Sequence, residues 1–194
     1  FGTNFPAMNF PRQRIARAID VLAVLVVVYA VAQFVVVPRL APAKPAAAPP
    51  VRLAQLGGGR FALDAHHGEV VFLDFWASWC EPCQLSLPLV EHFAHIHPGA
   101  QVIAVNVGEP ESAARGYATR HGLGRVALDP DSVAASAFGV TAFPTMVVID
   151  ADGRVRAKWV GYNPAIEAFM TDASTRYARA ATTSWLSPAQ VAAR

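Results

Sequence analysis

Val70 to Pro88 reads VVFLDFWASWCEPCQLSLP, and its interpretation decides the fold. The first half, Val70 to Trp76, is a short run of β-branched and aromatic residues, the pattern of a buried strand. From Glu81 onward the pattern is helical. Between them stand the only two cysteines of the chain, Cys80 and Cys83. The strand therefore delivers Cys80 to a helix N-terminus, where unpaired N–H groups and a partial positive charge favour thiolate over thiol. Cys83 lies one turn further in, close enough to close a disulfide with Cys80. Pro82 fixes the first turn without removing a needed hydrogen bond. A zinc site would need two further soft ligands, and the chain has no third cysteine. A lone CxxC between strand and helix reads as a redox motif.

Asp74 lies on the same strand, six residues before Cys80. Alternation points it inward, beneath the cysteines. A desolvated carboxyl there has a raised pKa and can take the proton of Cys83. Glu81, between the cysteines, opposes a thiolate at Cys80 and is partly offset by the helix terminus. The expectation is a moderately lowered thiol pKa and a reducing rather than strongly oxidising couple.

The segment from Asp74 to Cys83, DFWASWCEPC, resembles a thioredoxin active site, and Pro88 matches the proline that kinks the active-site helix. Cys-Glu-Pro-Cys together with Gln101 to Glu109, QVIAVNVGE, resembles a narrower group, the TlpA/ResA-like membrane-anchored thiol-disulfide oxidoreductases of the bacterial envelope. The likeness runs from about Phe61 to Gly161. It implies that Pro144, in Thr141 to Thr145 (TAFPT), is cis and faces the disulfide, with Phe143 before it offering backbone groups to a substrate strand. Trp76, Trp79, Glu81, Pro82 and Phe143 would frame the substrate surface. Many members of the narrower group carry a glutamate three residues after the second cysteine and lack an acid on the strand. Here Ser86 stands at the later position and Asp74 at the earlier, which is the thioredoxin arrangement.

The rest of the chain reads in order as follows. Val51 to Leu56 is a first edge strand, Gly57 to Gly59 a turn, Arg60 to Leu63 a second short strand, and Asp64 to Gly68 a hairpin loop with His66 and His67. The active-site helix continues to about His97. His92, His95 and His97 near its end read as a solvated face rather than a metal site. Gln101 to Val107 is a strand, Glu111 to His121 a helix broken by Gly122, and Val126 to Leu128 a strand. Asp131 to Phe138 is a helix with Gly139 at its C-cap. Met146 to Ile149 and Arg154 to Val160 form a hairpin about Asp152-Gly153. Asn163-Pro164 opens the last helix. The expected fold is α/β: a thioredoxin fold with an N-terminal β-hairpin and a central helix–strand insert, preceded by one transmembrane helix.

Hydrophobic residues make up 54% of the 194 and charged ones only 15%, an apolar balance. A membrane segment accounts for the excess. Val21 to Val37 is apolar except for Gln33, and seventeen helical residues span about 26 Å, the short end of a bilayer core. The expected organisation is an N-terminal tail (1–17), an anchor (18–37), a Pro/Ala linker (38–50) extending at about 3 Å per residue, a thioredoxin-like domain (51–180) and a C-terminal tail (181–194). A cleaved signal peptide is the alternative to the anchor. Met8 reads as a natural start, with Phe1 to Ala7 upstream. Arg12, Arg14 and Arg17 close to the apolar run favour an inside N-terminus, and so a single-pass protein of the bacterial inner membrane with its redox domain on the periplasmic side.

The expected activity is disulfide reduction in envelope proteins, with no cofactor beyond the Cys80–Cys83 pair and no metal. By resemblance, its partners are protein thiols and disulfides, apocytochrome c among them, and a transmembrane thiol-transfer donor of electrons. The net charge of +2, without a basic patch, excludes a nucleic-acid partner. The alternatives are a disulfide-forming oxidant or isomerase and a copper metallochaperone.

Overall fold

The computed structural model describes residues 22–27, 29 and 45–185. The expected anchor therefore lies outside the described residues except for 22–27 and 29, which are helical. Among the described residues no helix is long and apolar enough to cross a membrane. The expected N-terminal tail, the first part of the linker and residues 186–194 also lie outside them.

From Pro45 onward, seven strands form one sheet in the order β2-β1-β5-β4-β3-β6-β7. They are β1 (Arg52–Gln55), β2 (Arg60–Ala62), β3 (Val71–Trp76), β4 (Gln101–Val107), β5 (Val126–Asp129), β6 (Thr145–Ile149) and β7 (Val155–Val160). The helices are α1 (Glu81–Ile96), α2 (Glu111–His121), α3 (Val133–Ala137) and α4 (Ile166–Trp185). β3, β4 and β5 run parallel, β6 is antiparallel to β3, and β7 is antiparallel to β6 in a terminal hairpin. This is a thioredoxin-like α/β fold, with the β1–β2 hairpin before β3 and the α2–β5 unit inserted after β4.

β3 lies inside the sheet, between β4 and β6, and all six of its residues are buried. Its side chains alternate between two apolar layers. Val71, Leu73 and Phe75 face the side covered by α3 and the β1–β2 hairpin, where Phe138 packs against Phe75 and Phe61 is buried. Phe72 and Trp76 face α1, where Phe72 meets Phe93 edge-on and Trp76 clusters with Cys83 and Leu87. Asp74 falls between those two, on the α1 side. An apolar layer on both faces is what the run Val70 to Trp76, apolar but for Asp74, requires.

Four expectations need correction. β1 is not an edge strand: it lies between β2 and β5, pairing Ala54 with Leu128 and Gln55 with Ala127, and β2 is the edge. That pairing joins segments more than seventy residues apart, so local pattern could not reveal it. The Asp64–Gly68 loop contains a single 3-10 turn, Leu63–His66. The third helix is confined to Val133–Ala137, because Ser132 takes a left-handed φ of 56° and the Asp129 carboxylate receives the Ala134 and Ala135 N–H groups at 3.1 and 2.8 Å. The linker's last part is not a free spacer. Ala47 bridges Arg154, Ala48 N–H donates to the Gly153 carbonyl at 2.8 Å, and the Arg154 guanidinium donates to the Pro45 carbonyl at 3.0 Å.

α4 runs to Trp185, past the expected end of the domain at 180 and into the expected C-terminal tail. Ile166, Met170 and Ala173 are buried on one face at helical spacing, with Tyr177 packed beside them. At its start the Asn163 side chain accepts the Ala165 N–H at 2.9 Å.

Candidate active site

β3 ends at Trp76, and Ala77 to Trp79 lead into α1 with Cys80 as its N-cap. Cys80 and Cys83 are joined as a disulfide, with Cα atoms 5.3 Å apart. The Cys83 N–H points at the Cys80 sulfur, 3.2 Å away. Cys80 is 4% exposed and Cys83 fully buried, so only the first sulfur reaches the surface. An attacker and a resolver are thereby distinguished by access.

The site residues named from sequence converge around this disulfide. The Phe143–Pro144 peptide bond is cis. Phe143 meets the exposed Trp79 edge-on at 5.9 Å, while Pro144 is buried behind it. Glu81 and Pro82 are exposed on the first turn of α1. Together with Trp79, Cys80, Phe143 and one face of α3, they line an open groove of about 490 Å³. On the other side of the cis proline, Gly161 N–H donates to the Pro144 carbonyl at 2.8 Å, and Val160 and Tyr162 are exposed beside it. Trp76, expected at the docking surface, is instead fully buried, stacked at a tilt on Tyr117. Ser86, at the position where relatives carry glutamate, is buried within α1.

Asp74 is 1% exposed, and neither carboxyl oxygen has a hydrogen-bond partner among the described residues. Burial without partners pushes its pKa up from the usual carboxylate range to about 8, and the negative charge of Glu91 adds to the rise. At neutral pH most Asp74 carboxyls therefore carry a proton. A neutral acid on the α1 side of β3 is chemically able to give its proton to a departing thiolate and, once ionised, to take one from a thiol.

Sequence reasoning assigned no role to Glu109, just beyond β4. It is 8% exposed and clamps the approach to Cys80. Its carboxylate accepts the Ser78 N–H at 2.7 Å, the Ser78 hydroxyl at 2.5 Å and the Asn106 side-chain amide at 2.7 Å. The only signal was an acid two residues beyond an apolar strand, after Gly108. Its partner, thirty-one residues earlier, was visible only in three dimensions.

The histidines do not assemble. His66 Nδ1 lies 2.7 Å from Glu69, His92 Nδ1 lies 2.9 Å from Glu167, and His97 packs on Phe93. Among the described residues no cluster of three metal-ligating side chains occurs.

Two predictions follow from these carboxyls. In Glu109→Ala the Ser78 and Asn106 donors lose a buried acceptor, which costs about 2–4 kcal/mol in denaturant unfolding, and Glu109→Gln costs less. An unchanged midpoint in the alanine variant would show the clamp to be idle. For Asp74, the unfolded chain releases its proton near pH 4 and the folded chain near pH 8. Between those values the folded state holds the extra proton, so stability falls as pH rises. Asp74→Asn removes this dependence. Its stabilising effect on the oxidised protein should grow from about pH 4 to about pH 8, reaching a few kcal/mol, and then level off. A gain independent of pH would contradict the burial account.

Comparisons with known proteins agree with this geometry. The Redoxin family model matches residues 43–175. Thiol-disulfide oxidoreductase ResA of Geobacillus thermodenitrificans (strain NG80-2) is 36% identical over 112 residues, 56% of this chain and 64% of the relative. ResA of Bacillus subtilis (strain 168) is 35% identical over 111 residues, 56% of this chain and 62% of the relative. The matched region is thus under two thirds of the length of these relatives. Among solved structures, a candidate thiol:disulfide interchange protein DsbE from Chlorobium tepidum superimposes with a TM-score of 0.64 at 32% identity, covering 70% of this chain and 97% of that one. With a CxxC disulfide at a helix N-terminus, a cis proline beside it and a match over most of its length, the chain belongs to the Redoxin family, and its likeness there is to thiol-disulfide oxidoreductases of the ResA and DsbE type.

Proposed function

We propose that the chain is a membrane-tethered thiol-disulfide oxidoreductase that reduces disulfides of bacterial envelope proteins. The observation that carries this reading is a disulfide at the N-terminus of α1 of which only Cys80 approaches the surface, on a strand–helix unit whose strand buries the Asp74 carboxyl. In the reduced enzyme the Cys80 thiolate attacks one sulfur of a substrate disulfide. The substrate S–S bond breaks, a mixed disulfide forms, and the first substrate sulfur leaves as thiolate. Cys83 then gives its proton to ionised Asp74 and attacks the Cys80 sulfur. The mixed disulfide breaks, the Cys80–Cys83 bond forms, and the second substrate sulfur leaves. Two electrons have passed to the substrate.

The groove beside Trp79 and Phe143 suits an extended segment around the substrate cysteine. The cis-proline loop borders it, and the exposed Val160 and Tyr162 flank that loop on the far side. The relatives named ResA and DsbE support an extracytoplasmic setting, with the segment 18–37 as the tether. The client class we favour is an envelope protein with its own CxxC, such as apocytochrome c before haem attachment. Regenerating the dithiol outside the membrane calls for a transmembrane thiol-transfer donor. No resident cofactor or metal enters the scheme.

The test is trapping. Cys83→Ser should accumulate a mixed disulfide through Cys80 with a CxxC-bearing client, visible on non-reducing gels. Cys80→Ser should give neither adduct nor turnover. Asp74→Asn should slow resolution of the adduct about 10- to 100-fold and flatten its pH dependence near pH 8. Turnover in Cys80→Ser would refute the mechanism. Unaltered resolution in Asp74→Asn would remove Asp74 from it.

A further inference from the structure

A second carboxyl stands on the helix that covers Asp74. Glu91 follows Cys83 and Leu87 at successive i+4 steps on α1, so the three share a face, with Glu91 about 12 Å along the axis from Cys83. It is half-buried and borders a small cavity of about 200 Å³ with Ala94, His95, Val102, Gly124 and Arg125. Its carboxylate is fixed, accepting the Gly124 N–H at 3.1 Å. Gly124 leads directly to Arg125, whose carbonyl accepts the Ala104 N–H at 2.9 Å, and Ala104 is the register partner of Asp74. The backbone that holds Glu91 is thus tied, one residue on, to the strand position beside Asp74.

The surroundings leave these two acids to each other. Beside Asp74, β4 presents Ala104 and β6 presents Met146, neither of them charged, and the charged group that acts on it is Glu91 of α1. Around Glu91, His95 of the same helix is exposed, and the Arg125 guanidinium is turned to the Gln101 side-chain carbonyl. From α4, Glu167 is held by His92. From α2, Tyr117 packs on Trp76. Partial burial raises the Glu91 pKa too, but Glu91 is half-exposed and the Gly124 N–H opposes that rise, so of the two acids it is the one better able to ionise. Asp74, dry and without a donor, must then ionise against that charge.

We propose that Glu91 is a positioning residue for the proton of Asp74: its carboxylate, held at Gly124 next to the backbone that pairs with the strand position beside Asp74, adds to burial in holding that proton, and so raises the pH above which Cys83 can be deprotonated to resolve a mixed disulfide. The function rests on Asp74 as the proton partner of Cys83, whereas the coupling between the two carboxyls does not. Glu91 touches no reacting atom. It acts through Asp74 across the helix–sheet interface, where charge is poorly screened.

The experiment follows the Asp74 carboxyl directly, by carbon NMR of the full chain labelled at the aspartate carboxyl carbon, alongside the pH profile of mixed-disulfide resolution. Glu91→Gln keeps a carbonyl for Gly124 N–H and removes only the charge. The Asp74 midpoint should fall by about one pH unit, and the resolution profile should move to lower pH with it. Glu91→Ala should lower the midpoint equally. An unmoved Asp74 midpoint in Glu91→Gln overturns the proposal. So does a shift in the alanine variant alone, which would be an effect of packing. If instead the midpoint moves and Asp74→Asn leaves resolution untouched, Glu91 still governs Asp74 and the catalytic role of Asp74 is what fails.

Discussion

Burying a carboxyl without a hydrogen-bond partner is costly, and the structure accepts that cost on an inner strand of its sheet. Asp74 occupies a position where Phe72 and Trp76 on either side are fully buried and its strand neighbours are Ala104 and Met146. An apolar residue would be more stable there. Its neutral form is favoured by dryness and by Glu91, so it stores a proton at neutral pH inside the sheet, on the side that α1 covers. β3 must be an inner strand and covered on both faces for this to work. The α1 layer must close over it, and Cys83 must be drawn inside while Cys80 remains at the rim.

The disulfide itself is held from three directions. α1 supplies the N-terminal turn that carries both cysteines. The cis-proline loop before β6 forms one wall, tied to the end of β7 through Gly161. The turn after β4 supplies Glu109, which fixes Ser78 two residues before Cys80. Two buried carboxyls therefore do opposite things within one site. Glu109 is satisfied by three donors and makes the loop rigid, whereas Asp74 has none and is left able to exchange a proton.

Much of this was legible in the sequence where the cause is local. The run of β3, apolar but for Asp74, the seven residues of β4, and α2 ended by Gly122 in the left-handed conformation fall where periodicity and capping place them. So do Cys80, Cys83 and the inward position of Asp74, because a CxxC after a buried strand constrains its own geometry. The features that escaped depend on distant partners. β1 becomes an inner strand through β5, α3 is shortened by a carboxylate from the end of β5, and Trp76 is taken from the surface by Tyr117. Glu109 and Glu91 are ordinary acids in the sequence. Their meaning comes from Ser78 and Gly124, each more than thirty residues away.

The direction of electron flow is the central claim, and the equilibrium reduction potential of the Cys80–Cys83 pair tests it most directly. The full chain would be equilibrated in thiol redox buffers at pH 7 and its dithiol fraction counted by alkylation and mass spectrometry. A value at or below about −230 mV, in the range of thioredoxins and glutaredoxins, is what the account predicts for a reductant. A value near about −120 mV, that of strong oxidants, would contradict it and make the chain a donor of disulfides.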